Sequence, residues 1–419
     1  MKIIADLHIH SRFSRATSKS LTIQNLEKWA RIKGLTLLGT GDFTHPEWIA
    51  ELKKELVEDG TGILKTKTGF PFVLSTEISL MYSQGNRGRK VHNVVLAPNF
   101  GVVKQITDYL LTKGRVDYDG RPIFGIKAPE FTENLMQISD KIEIIPAHIW
   151  TPWFGMLGSK SGFDSVEEAF QDQSKHIHAL ETGLSSDPAM NWRLSKLDKY
   201  QLVSFSDAHS FWPWRIGREA TVFDTELTYD ALIKALRTGE NLTGTIEVDP
   251  NYGKYHLDGH RDCGVCLEPK DSLKTNKICP ACGKLMTIGV LHRVEELADR
   301  PDGYKPKDKP DFKALMPLSE LIATSLNTKQ LYGKKVFEIY NKLISKFNSE
   351  FAILLEAPEE KLKELVSEQL TKLILDNRTG KIKIKPGYDG VYGEALLEGR
   401  EIHTPKPKIK IKQKNLLDF

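Results

Sequence analysis

The sequence predicts an α/β protein with a helical C-terminal part, and three observations predict it. Short apolar runs bounded by turn residues alternate with helix-like stretches through residues 1–248. Four cysteines then fall as two C-x2-C pairs within residues 249–292. From 317 to 377 the pattern is helical, with Leu362, Leu365, Val366, Leu370, Leu373 and Ile374 on one apolar stripe that reads as core.

The apolar runs are 2–7, 36–39, 71–75, 92–96, 142–146, 178–180 and 202–205. Residues 22–32 and 46–57 are two of the helix-like stretches between them. Such alternation predicts parallel strands, in an irregular barrel rather than an open sheet. A Pro/Lys/Asp-rich linker covers 299–310, and residues 404–414 carry five lysines and no acid, as a solvated tail does. The expected units are therefore 1–248, 249–292, 293–403 and a basic tail, 404–419.

Composition narrows the class. The chain has 419 residues, 59 Lys+Arg against 55 Asp+Glu, and a net charge of +4, too small to name a polyanionic partner by itself. Forty per cent hydrophobic residues exclude a largely disordered chain. No apolar run approaches the ~18 residues of a membrane span. The N-terminus reaches charge too soon for a secretory signal, so an intracellular, cytoplasmic protein is expected.

The first run ends in Asp6-Leu-His8-Ile-His10. Residues two apart on a strand share a face, so both imidazoles project together beside Asp6. Asp42 (with His45 close by), Glu77, His92, His148 and Asp207-Ala-His209 stand at or near later apolar runs. Side chains gathered from several strand ends build catalytic centres in α/β folds. A His/Asp/Glu mixture without Cys suits Zn²⁺, Mn²⁺ or Fe²⁺ held for hydrolysis.

These residues resemble the polymerase and histidinol phosphatase (PHP) family. The resemblance implies a distorted (β/α)7 barrel over 1–245, up to three metal ions and phosphoester hydrolysis. It assigns metal ligation to His8, His10, Asp42, Glu77, His92, His148, Asp207 and His209, and catalysis to Asp6, His8, His10, Glu77, Asp207 and His209. The family's second motif is Thr-Asp-His; here Gly41-Asp42-Phe43 stands there, and either Asp42 or His45 takes that position. Two or three catalytic divalent ions (Zn²⁺, Mg²⁺ or Mn²⁺) follow. Adjacent metals make hydroxide from water near neutral pH without a nucleophilic side chain.

Cys263, Cys266, Cys279 and Cys282, with twelve residues between the pairs, have zinc-ribbon spacing and predict one structural Zn²⁺. Five of seven tryptophans closely follow candidate ligands. Trp150, Trp153, Trp212 and Trp214 either line the site's mouth, where rings stack on bases, or plug the barrel end; Trp48 reads as core. Arg12, Arg15, Arg87, Arg89, Lys90 and Arg215 cluster near the ligands, on loops suited to phosphate. Residues 381–393 alternate Lys with Ile, as a DNA-backbone ribbon or a protected edge strand would. Gln413, Leu416 and Phe419 match the spacing of the sliding-clamp peptide Gln-x-x-aliphatic-x-x-aromatic.

The whole arrangement resembles a DNA-repair branch of the PHP superfamily. That implies an endonuclease nicking 5′ of deaminated bases (uracil, hypoxanthine, xanthine) and abasic sites. A phosphatase of small phosphoesters and a non-catalytic DNA-binding module are the rival readings.

Overall fold

Both faces of the first strand, Lys2–Asp6, are covered, which is why it reads as an apolar run. In the computed structural model, which describes residues 1–396, it lies parallel to Leu37–Gly39 and antiparallel to Ala220–Asp224. The long strand Pro71–Gln84 runs parallel beside Leu37–Gly39. Arg87–Ala97 then pairs antiparallel with it, and Glu143–Pro146 antiparallel with that. Gln413, Leu416 and Phe419 lie outside the described residues.

The expected repeat of parallel units is thus interrupted. One mixed sheet carries most strands, while Ala179–Glu181 and Gln201–Val203 form a separate parallel pair. Single bonds span the gaps on either side: Ile149 N–H donates to Glu181 O at 3.0 Å, and His10 N–H to Ala208 O at 3.0 Å. The polar stretch at 82–90 is no loose loop. Gly85 and Asn86, at φ +61° and +57°, turn a two-residue hairpin that continues the ladder to Gln84 opposite Arg87.

The sheet does not end near residue 248. Leu242–Glu247 pairs antiparallel with Ala220–Asp224, and Asp311–Ala314 adds a parallel strand beyond it. The C-terminal region therefore begins by extending the N-terminal sheet. Five helices follow: Leu318–Ser325, Lys334–Phe347, Glu350–Leu355, Glu359–Lys363 and Glu368–Arg378. The predicted stripe is split between the last two, where the Ser367 side chain caps a new helix. Leu362, Leu370, Leu373 and Ile374 are buried, but Leu365 and Val366 at the break are half-exposed.

One buried ion pair ties this helical region to the sheet domain. Helix Ile23–Lys33 ends with Lys33, whose Nζ lies 2.6 Å from Glu350, each side chain at most 1% exposed. Lys33 also donates to Pro213 O (2.8 Å), while Glu350 accepts from Leu318 N–H (3.0 Å) and the Tyr340 hydroxyl (2.8 Å). Around it, Trp29, Trp212, Trp214 and Phe337 pack ring on ring. Desolvation makes such a pair costly to break once formed. Glu350→Ala should lower stability by about 3–5 kcal/mol. The double change Lys33→Met, Glu350→Leu should recover most of it, both read by urea unfolding.

A second buried group is acidic. Glu247 accepts from Thr182, Ser204 and Thr245 hydroxyls, yet burial, with Asp187 nearby, pushes its carboxyl from 4.5 up to about 8. The folded chain then holds a proton that the unfolded chain releases, so this group costs stability as pH rises from about 4.5 towards about 8. Glu247→Gln should therefore flatten the fall in Tm between pH 5.5 and 8.5 by several degrees, measured by calorimetry.

Candidate metal centre

Glu77 sits inside Pro71–Gln84 rather than at its end, fully buried, and its two oxygens face two groups of ligand atoms. Oε2 lies 3.5 Å from His8 Nε2 and 3.2 Å from His10 Nε2, and Asp207 Oδ1 is 3.0 Å from that His10 nitrogen. Oε1 lies 2.5 Å from His92 Nδ1 and 3.2 Å from His148 Nε2. His8, His10, Glu77 and Asp207 form one ligand set, and Glu77, His92 and His148 another, each drawn together within 4.8 Å.

The surroundings fit metal. The Nδ1–H of His8 donates to Glu181 at 2.9 Å, leaving Nε2 aimed at the cluster with no hydrogen-bond partner. Carboxylate-fixed tautomers of this kind prepare imidazoles for ligation. Asp42 plays the same part for His10, at 3.0 Å from its Nδ1. Burial alone would discharge His8 and His10, but Glu181 and Glu77, and Asp42 and Asp207, hold them well above the usual imidazole range. Against the same burial, His92, Arg121 and His8 hold Glu77 well below the carboxylate range. Cations and protons compete for these groups, so metal uptake releases protons.

Other expected site residues lie outside these two sets. Asp42 is bonded to His10, to Ser11 N–H (2.6 Å) and to the Ser14 hydroxyl (2.8 Å), in position to orient His10. His45 is stacked on Phe13, ring centres 4.4 Å apart, away from both sets. Asp6 accepts from Ser206 N–H and hydroxyl and from Gly217 N–H, clamping the Asp207 loop; burial pushes it up to about 6. His209 stands one-third exposed at the mouth, bonded through Nδ1 to Asp207 O.

Above the ligands opens a cleft of about 860 Å³. Arg215 and Trp153 line it as expected, and Trp153 is 37% exposed. Arg15 is exposed beside Asp119, while Arg87 and half-buried Lys90 lie out on the hairpin. Arg12 is paired with Glu51, and Arg89 is buried against Gly162 O and Glu168, so both serve the fold. Trp150 is fully buried with its N–H on Asn191, Trp214 is buried, and Trp212 stacks on it against the helical region. Trp150 and Trp214 are therefore core, and Trp212 is half-buried. Trp48 is core as expected.

Sequence reasoning missed Glu181, Arg121, Lys254, Tyr255 and Tyr392. Glu181 carried a usable signal, an acid ending the 178–180 run. The others reach the cleft from irregular segments, Lys254 and Tyr255 from just ahead of the first cysteine and Tyr392 from the C-terminal ribbon. That ribbon pairs Lys383–Lys385 with Glu394–Leu396.

In the cysteine module a histidine stands among the cysteines. His260, Cys263, Cys279 and Cys282 converge, whereas Cys266 does not join them. His260-x2-Cys263 is followed by Gly264 at φ +66°, and Cys279-x2-Cys282 by Gly283 at φ +72°. The two knuckles match: a glycine in the left-handed region turns the chain after each second ligand. Cys266 lies on strand Val265–Leu267 beside Glu268, where burial pushes its thiol up to about 12. Three thiolates and an imidazole suit tetrahedral zinc. His260→Ala should strip metal from the module, whereas Cys266→Ser should retain it, as metal analysis and thiol titration will show.

Comparisons with known proteins agree with this architecture. The family profile described as MJ0043 C-terminal domain matches residues 317–381, the helical region. The chain is 31% identical over 416 residues to Uncharacterized protein YqxK of Bacillus subtilis (strain 168), covering 94% of this chain and 99% of that protein. It is 30% identical over 268 residues to Uncharacterized protein MJ0043 of Methanocaldococcus jannaschii, covering 62% of this chain but 33% of that protein. The crystal structure of the lesion-specific endonuclease PfuEndoQ from Pyrococcus furiosus aligns at a TM-score of 0.85 and 32% identity, covering 95% of this chain and 96% of that one. Endonuclease Q in complex with a 27-mer duplex bearing an abasic lesion at the active site also aligns at 0.85, with 31% identity over 98% and 100% of the two chains. The chain belongs to the endonuclease Q family.

Proposed function

We propose that the chain is a DNA-repair endonuclease that hydrolyses the phosphodiester 5′ of deaminated bases (uracil, hypoxanthine, xanthine) and abasic sites. The observation that carries this reading is Glu77, one carboxylate shared by two ligand sets beneath a cleft walled by cations and aromatic rings. Two divalent cations there, Zn²⁺, Mn²⁺ or Mg²⁺, would supply an activated water and charge neutralisation for in-line displacement. His8, His10, Asp207 and Glu77 would hold one, and His92, His148 and Glu77 the other. Glu181 and Asp42 fix the tautomers of His8 and His10. One Zn²⁺ in the cysteine module would hold Lys254 and Tyr255 at the mouth by fixing the segment that follows them.

DNA fits the rest of the cleft. Arg215 and Lys254 offer charge to backbone phosphates, and Trp153 and Tyr255, ring centres 5.5 Å apart, offer faces to an unpaired base. A damaged or missing base is cheaper to draw out of the duplex than a paired one. The solved relatives support the substrate class, one being lesion-specific and the other holding abasic DNA. Sliding-clamp binding through Gln413, Leu416 and Phe419, and an intracellular setting, complete the proposal.

The test offers uracil, abasic and undamaged duplexes with each metal. A nick 5′ of the lesion is expected, with Asp207→Ala and His8→Ala at least 10³-fold slower while the fold is retained by circular dichroism. Phosphate release from small monoesters without nicking would point to a phosphatase, and no turnover with any metal to a binding module.

A further inference from the structure

The second motif adds no ligand atom to the two sets that share Glu77. Both oxygens of Asp42 are occupied, and Gly120 packs against them: a Cβ there would stand 2.2 Å from Asp42 Oδ2 and 2.4 Å from the Ser14 hydroxyl. Among the described residues, only the two sets sharing Glu77 and the cysteine module gather ligand atoms.

The segment that carries Gly120 delivers a cation of its own. Gly120 N–H donates to Phe13 O (3.1 Å), Arg121 N–H to Asp119 (3.2 Å), and Ser79 N–H to Pro122 O (3.1 Å). The backbone of Arg121 is therefore pinned on both sides. Its guanidinium reaches Glu77 Oε2 at 3.1 Å, its one hydrogen-bond partner among the described residues, and borders the cleft next to Asp207. The side chain is 26% exposed, so the remaining N–H groups are accessible from the cleft.

We propose that Arg121 is a catalytic residue, supplying positive charge to the scissile phosphate beside the two ligand sets. This rests on the phosphodiesterase reading above. In the reaction, water's oxygen bonds to phosphorus as the P–O bond to the leaving oxygen breaks, and that oxygen takes a proton. Negative charge concentrates on the non-bridging oxygens as this happens. A planar guanidinium presents two parallel donors to such oxygens, and it does so best when one edge is already fixed on a carboxylate. Glu77 thus holds Arg121 in position with the same oxygen that faces His8 and His10.

The experiment compares full-length wild type with Arg121→Met and Arg121→Lys. Bound Mn²⁺ per chain is measured, then kcat and KM on an abasic duplex and on bis(4-nitrophenyl) phosphate, a diester without DNA. Metal content should stay unchanged, while kcat falls about 10²–10³-fold in Arg121→Met. KM should move less than threefold, and Arg121→Lys should recover about tenfold. A kcat within threefold of wild type, a change confined to KM, or metal loss in step with activity would overturn the proposal. The last result would make Arg121 a mere support for Glu77. If wild type cleaves the small diester but no lesion duplex, the DNA reading fails while Arg121 is still judged on the small diester.

Discussion

A carboxylate excluded from water must be matched by positive charge, and Glu77 is the carboxylate around which this protein is arranged. Left alone at full burial it would take up a proton. His8, His10, His92, His148 and Arg121 all stand within 3.5 Å of its oxygens and keep it ionised. Five side chains from four separate stretches of chain are thereby committed to one point. The sheet brings these stretches to one end, so its strand order follows from that demand as much as from apolar burial.

Convergence of this kind is held by backbone strain as well as by charge. Asp42, His148 and Asp207 have φ of +49°, +31° and +48°, a region that costs a non-glycine residue about 1–3 kcal/mol. Local bonds and close packing offset it. His148 N–H donates to Glu181 at 2.6 Å, and Gly183 must lack a side chain because a Cβ would meet the His148 Cβ at 2.6 Å. Such residues point where ligands need them because the packing leaves them no alternative.

The readable part of the site was the part written in periodicity. His8 and His10 two apart on a strand, and acids near the ends of apolar runs, carry their geometry in their spacing. Residues that act across the fold carry no such mark. The Asp42 carboxylate looks the same in sequence whether it binds metal or turns towards a histidine ring, and Gly120, which packs against it, is seventy-eight residues away. Tryptophans near a site read equally as platform or plug, and only their burial in three dimensions settles that. In the module, the two C-x2-C pairs stand out in sequence, whereas the approach of His260 to Cys263, Cys279 and Cys282 shows only in three dimensions. The parallel-barrel expectation missed the hairpin because 71–75 and 92–96 are equally apolar whichever way they run.

Strand Asp311–Ala314 also carries a consequence for synthesis. Until it arrives, Leu242–Glu247 presents an open row of backbone donors and acceptors at the sheet margin. The ribosome must therefore deliver the cysteine module and the 299–310 segment before that margin can be covered. A nascent chain halted between residues 248 and 310 thus carries a ready template for self-association.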